Sequence, residues 1–97
     1  MKYAVYLSPV ARRQYDKLDT HVRSRIRKEL LKLETEPYHK GERLQGIRQG
    51  LLYSKIFHSG VQYRAVYDVS DSEKEVLIIF LGTRENFYKE LRRYLRK

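Results

Sequence analysis

The sequence predicts an α+β fold: an N-terminal strand, a basic helical hairpin, a three-stranded antiparallel meander and a C-terminal helix. Three observations carry this expectation. Apolar residues recur at helical spacing early in the chain, the period then changes to runs of β-branched and aromatic residues, and helical spacing returns after residue 83. With 97 residues the chain has the length of one domain, residues 1–97, and too little sequence for two independent cores.

Residues 2–7 alternate Tyr3, Val5 and Leu7 with Lys2, Ala4 and Tyr6, which suits a short strand in mostly buried surroundings. Ser8 and Pro9 then start a helix, because the serine can cap and proline is tolerated at the first helical position. Val10, Ala11, Tyr15 and Leu18 follow at helical spacing, and Asp19 with Thr20 breaks the pattern and caps a second helix. Val22, Ile26, Leu30 and Leu33 form the apolar stripe of that helix, which ends before Pro37. Residues 37–50 carry Pro37, Gly41, Gly46 and Gly50 and read as a loop. Residues 52–58, 61–69 and 75–81 read as three strands, separated by Ser59-Gly60 and by a polar turn over 70–74. Gly82-Thr83 ends the last strand, and Thr83 is placed to cap a final helix with Phe87, Leu91, Tyr94 and Leu95 on its apolar face. No internal repeat or linker interrupts this order, so the helices are expected to lie on one mostly antiparallel sheet.

The composition excludes several chemistries. Cysteine is absent, which removes disulfides and thiolate zinc sites, and the three histidines are scattered, so no metal and no cofactor is expected. The apolar start is too short for a secretion signal, and no run approaches the roughly 20 residues of a membrane helix. A cytosolic protein with no membrane partner is therefore expected.

Charge points the other way, toward a polyanion. Lysine and arginine number 21 against 12 acidic residues, a net +9. Residues 12–32 carry eight basic and three acidic side chains and residues 84–97 six and two, while the stretch between them is nearly neutral. Arg23, Arg25, Arg27, Lys28, Arg92, Arg93 and Arg96 are either solvated helix faces or a surface for RNA, DNA or an acidic protein.

Register identifies individual cations. If Ser59-Gly60 is a two-residue hairpin loop, His58 faces Val61 and Lys55 faces Arg64. Alternation then puts Tyr53, Lys55 and Phe57 with Gln62, Arg64 and Val66 on one face, and Leu52, Ile56, Val61, Tyr63, Ala65 and Tyr67 on a core face. Like charges directly opposite cost stability, of order a few tenths to one kcal/mol, with no structural return. Pairing Val69 with Val76 brings Arg84 to within about 7 to 10 Å of Arg64, and Tyr88 follows Arg84 by one helical turn. Lys55, Arg64, Arg84 and Tyr88 can therefore converge as an anion site, unless Arg64 and Arg84 pair with carboxylates such as Asp68 or Glu85. His21, His39 and His58 fall outside this cluster. No CxxC, HExxH or glycine-rich phosphate loop is present. Arginine, lysine and tyrosine fit attack of an RNA 2′-hydroxyl on the adjacent phosphate, where cations stabilise a pentacoordinate dianion.

These residues resemble the RelE/ParE superfamily of bacterial and archaeal toxin-antitoxin toxins. The resemblance runs from the first strand through Leu44-Gln45-Gly46, the segment Ser59-Gly60-Val61-Gln62-Tyr63-Arg64-Ala65-Val66-Tyr67, and Gly82-Thr83-Arg84 with Tyr88. It implies a RelE-like microbial RNase fold and a toxin that cleaves mRNA on the ribosome, held inactive by a cognate RelB-like or other short antitoxin. Carried over, Arg64 braces the scissile phosphate, Arg84 assists the leaving oxygen, Lys55 stabilises the dianion, and Tyr88 orients or deprotonates the 2′-hydroxyl. Candidate RNA-binding residues are Arg23, Arg27, Lys28, Arg43, Arg48 and Phe57, the last by stacking on a base. The sequence departs from RelE where Phe57 replaces a second strand lysine and Gln45 replaces an arginine, and RelE's tyrosine sits slightly later than Tyr88. The ParE branch shares the fold but poisons DNA gyrase without cutting RNA, and retention of Lys55, Arg64, Arg84 and Tyr88 favours the nuclease branch. A double-stranded RNA-binding module has an overlapping element order, but Arg84-Glu85-Asn86 does not reproduce the lysine pair that opens its last helix.

Overall fold

The computed structural model describes residues 2–39, 41–44, 46, 50–83 and 87–95. In chain order these form β1 (Ala4–Leu7), α1 (Pro9–Asp16), α2 (Thr20–Leu31), a short 3-10 turn (Lys32–Glu34), β2 (Glu42–Arg43), β3 (Leu52–His58), β4 (Val61–Ser70), β5 (Glu75–Thr83) and α3 (Phe87–Leu95). The α+β order is the expected one. Both helix starts follow the capping logic. The Ser8 hydroxyl accepts from Ala11 N–H at 3.1 Å with Pro9 in the first turn, and Asp19 Oδ1 accepts from Val22 N–H at 3.0 Å.

The sheet has five strands in the order β1-β5-β4-β3-β2. β3, β4 and β5 form the meander, and β1 runs parallel to β5 at one edge. Edge position corrects the expectation of a mostly buried first strand, because Ala4 and Tyr6 face solvent while Val5 and Leu7 are half-buried. At the other edge, part of the expected loop, Glu42–Arg43, pairs with Tyr53 and Leu52 as a two-residue strand. β1 ends at Leu7, so Ser8, the N-cap of α1, and Gln14 of α1 take over its pairing with β5. Ser8 Oγ donates to Ile79 C=O at 2.8 Å, and Gln14 Oε1 accepts from Leu81 N–H at 2.7 Å.

Apolar packing covers both faces of the sheet. α1 and α2 bury Ala11, Val22, Ile26 and Leu30 against Ile56, Ala65, Tyr67, Val76 and Ile78. On the opposite face Phe87 and Leu91 of α3 cover Val66, Ile79 and Phe80, with Leu44 and Leu51 beside them. Phe80 meets Phe87 edge-on and stacks on Tyr94, each at 5.8 Å between ring centroids. The face carrying Tyr53 and Val66 is therefore half covered, and the exposed half lies toward the β3–β4 turn.

Candidate active site

The Ser59-Gly60 turn has both residues at positive φ, 48° and 78°, the geometry of a two-residue hairpin. It fixes the ladder from His58↔Val61 to Lys55↔Arg64 and on to Leu52↔Tyr67. Val61, expected on the core face, is exposed instead because it lies next to the turn at the open end of the hairpin. The two cations are thus direct cross-strand neighbours on the face half covered by α3. Phe57 lies two residues from Lys55 on that face and is 59% exposed.

Arg64 is held by neutral groups. Its Nε donates to Gln62 Oε1 at 2.7 Å and its Nη1 to the Tyr88 hydroxyl at 2.9 Å. Its guanidinium carbon lies 5.4 Å from the ring centroids of Tyr53 and of Tyr88 and 5.9 Å from that of Phe87. Three aromatic faces stabilise the cation without neutralising it. The planar guanidinium has five N–H donors, and these bonds occupy two of them. Among the described residues no carboxylate pairs with Arg64, so the Asp68 alternative does not occur there.

Lys55 is different: its Nζ lies 3.1 Å from Glu42 Oε2. Tyr53, opposite Glu42 in the ladder, has its phenol pushed up, first by burial and then by neighbouring Tyr88 and Glu42, while Lys55 pulls the other way. Neither Glu42, Gln62 nor Tyr53 was among the expected site residues. The same-face positions of Gln62 and Tyr53 were a usable signal. Glu42 sat in a segment read as loop and gave none.

Arg84, Glu85 and Arg48 lie outside the described residues, as does Gln45. The expected placement of Arg84 rested on one uninterrupted β4–β5 register. The ladder instead shifts between Val66 and Tyr67, with Tyr67↔Ile78 followed by Val66↔Phe80, so the strand end Thr83 faces Tyr63. Thr83 is the last residue of β5, and the helix it was expected to cap is described from Phe87 onward. Tyr88 sits in the first turn of α3, 37% exposed, with its ring against Phe87 at 5.4 Å.

Arg23, Arg27 and Lys28 belong to α2, which packs on the other face of the sheet. Arg27 and Lys28 are exposed. Arg23 donates to Asp16 C=O and to Thr20 Oγ1, each at 3.3 Å, bracing the α1–α2 connection. Arg43 is exposed on β2. The structure therefore gathers Lys55, Arg64, Tyr88 and Phe57 on one face and holds the α2 cations away from them. Among the described residues no group of three histidine or acidic side chains is placed to hold a metal ion, and no helix is long and apolar enough to cross a membrane.

Residues 5–92 match the family model of the ParE-like toxin of type II bacterial toxin-antitoxin systems. The chain belongs to this family. The toxin is similar in structure to an E. coli RelE carrying two arginine-to-alanine substitutions, in the free state, with a TM-score of 0.77 and 26% identity over 99% of this chain and 98% of that one. It is similar to the toxin of the intact E. coli RelBE complex, with a TM-score of 0.72 and 29% identity over 86% and 98% of the two chains. It also resembles a chain of the RelBE2 toxin-antitoxin complex of Mycobacterium tuberculosis, with a TM-score of 0.71 and 25% identity over 87% and 93%. No curated protein sequence matches it significantly. These structural relatives put the toxin on the RelE-like branch of the RelE/ParE superfamily.

Proposed function

We propose that this toxin is a ribosome-dependent mRNA endoribonuclease that cleaves by attack of a 2′-hydroxyl on the adjacent phosphate. The observation that carries the reading is the state of Arg64: a half-buried guanidinium, oriented by Gln62 and Tyr88, flanked by three aromatic rings and left unneutralised by any described carboxylate. A fixed cation with spare donors suits an oxygen that gains charge in the transition state, because it needs little reorganisation when that charge appears. Arg64 braces the phosphate, and Tyr88, which already accepts from Arg64, is placed to orient or deprotonate the 2′-hydroxyl. Lys55 stabilises the dianion from the facing strand position. Arg84 is assigned to the leaving oxygen by the resemblance alone. Phe57 offers an exposed ring for a neighbouring base.

The partners follow the same reading: mRNA on the ribosome as substrate, and a RelB-type antitoxin as inhibitor, as in the RelBE complexes that share this fold. A groove of about 350 Å³ between β1, α1 and α2 has an apolar floor that includes Val5, Leu7 and Leu30, with Arg12 and Arg27 in its lining. It suits an amphipathic, acidic antitoxin segment.

The deciding experiment is cleavage mapping on translating ribosomes. Arg64→Ala is expected to reduce cleavage by roughly two to three orders of magnitude while leaving the thermal unfolding midpoint close to that of the parent. Near-normal cleavage by this variant removes the proposed site. A second reading, gyrase inhibition without cleavage, draws on the Glu42 carboxylate against Lys55, which reduces the positive charge available for a phosphate. Intact mRNA together with trapped DNA breaks in a gyrase assay would favour it.

A further inference from the structure

Glu42 is exposed on the edge strand β2, and its carboxylate is directed into the site. It lies opposite Tyr53 in the ladder, and Lys55 is the next residue of β3 on the same face. Such diagonal neighbours are about 7 to 8 Å apart at the backbone, a span that long side chains close, and here the closure ends at 3.1 Å between Glu42 Oε2 and Lys55 Nζ. Lys55 also faces Arg64 directly across β3 and β4. That like-charge pair is unfavourable when the site is empty, and Glu42 relieves it. The relief is one-sided: Lys55 has a carboxylate, whereas the described partners of Arg64 are all neutral.

We infer that Glu42 is a built-in competitor for the RNA phosphate, screening Lys55 in the RNA-free toxin and giving it up, or sharing it, when a phosphodiester arrives. This rests on the nuclease reading above and assigns Glu42 a role in substrate affinity rather than in bond breaking. The side chains of Lys55 and Glu42 are 36% and 55% exposed, so the exchange requires rotamer changes and no refolding. Linkage makes the effect reciprocal: whatever Glu42 contributes to the empty site, it subtracts from RNA affinity. Arg64 is then the constant part of the phosphate grip and Lys55 the conditional part.

The test measures binding of a non-cleavable single-stranded RNA, 2′-O-methylated throughout, to the full-length toxin over a series of salt concentrations. Glu42→Gln is expected to bind about fivefold tighter at low salt, the factor for removing one charge near 4 Å in a water-like dielectric. Its log-log salt slope should steepen by about 0.7, as for one more neutralised phosphate on a single strand. Glu42→Ala should show the same gain, and the gain should vanish when Lys55→Gln is already present. Equal or weaker binding by both Glu42 variants overturns the inference. So does a gain that survives Lys55→Gln, or a loss of mRNA cleavage with RNA affinity unchanged, which would give the carboxylate a part in the chemistry. Near-normal mRNA cleavage by Arg64→Ala removes the nuclease reading itself, and this inference with it.

Discussion

At the scale of single residues, the approach to the site depends on a contact between a glycine and a buried phenol. The Tyr67 ring is fully buried, and its hydroxyl donates to Pro37 C=O at 2.6 Å. Burial pushes that phenol up to about 12, so it remains a donor throughout the neutral range. A Cβ on Gly41 would collide with the Tyr67 hydroxyl and stand 2.9 Å from its Cζ and 3.2 Å from Leu52 Cβ. None of these atoms has room to retreat, because the ring is packed in the core and Leu52 is held in β3. Gly41→Ala is expected to destabilise the fold by about 1 to 3 kcal/mol, the usual cost of overpacking. Tyr67→Phe is expected to cost about 1 to 3 kcal/mol through the carbonyl it leaves unpaired. Denaturant unfolding of the double variant should give less than the sum of the two, since removing the hydroxyl also removes much of the collision. Full additivity would mean that Gly41 and Tyr67 do not meet.

Among elements, the residue leading into β1, the segment after the 3-10 turn and the β4–β5 turn are tied together by one carboxylate. Asp71 accepts from Tyr3 at 2.7 Å and from Tyr38 at 2.9 Å, and Lys74 lies over the Tyr3 ring at 5.1 Å. The two phenols, Tyr3 first, hold the Asp71 carboxyl below its ordinary value, and desolvation followed by Asp71 pushes Tyr38 up to about 12. A lowered acid contributes stability above the ordinary aspartate value of about 4, and this contribution is lost as pH falls through its lowered value. A raised phenol contributes below the ordinary tyrosine value of about 10, and its contribution is lost as pH rises toward about 12. Thermal melts should therefore show Asp71→Asn flattening the acid edge of stability and Tyr38→Phe flattening the alkaline edge. Unaltered edges in both variants would leave the tie without thermodynamic weight. The element pattern also explains what could be read in advance. Ser59-Gly60 permits a single hairpin register, so the facing positions of Lys55 and Arg64 were legible, and so was the pairing of Val69 with Val76. The shift beyond Val66 was not, because Ile78, Ile79, Phe80 and Leu81 form an unbroken apolar run that hides the extra residue. Ile79 and Phe80 turn to the α3 core while Ile78 and Leu81 face the helical hairpin. A two-residue strand such as β2 carries no periodicity, so Glu42 at the site was illegible for the same kind of reason.

For the molecule as a whole, which carries a net charge of +9, described cations stand on opposite faces of one sheet. Arg64 and Lys55 lie on the face shared with α3, while Arg27 and Lys28 are exposed on α2 beyond the other core. Charges on opposite faces of a layered fold cannot grip the same phosphate, and between them screening over about 8 Å at physiological salt reduces mutual influence. The α2 cations can raise the local concentration of a large polyanion or steer its approach. On the nuclease reading proposed above, they cannot stabilise the oxygen that gains charge as the bond breaks. The two sets should therefore separate in steady-state kinetics on programmed ribosomes. Reversing both charges, with Arg27→Glu and Lys28→Glu, is expected to raise KM by at least about tenfold at low salt, to weaken the salt dependence of kcat/KM, and to leave kcat near the parent value. Arg64→Ala should chiefly lower kcat if, as proposed, its interaction strengthens in the transition state. The α2 variant keeps the buried stripe of Val22, Ile26 and Leu30 intact, so its melting curve should stay close to that of the parent. A KM unchanged by reversal would show that α2 is an ordinary solvated face, and a fall in kcat would show that the two faces of the sheet act on one substrate contact.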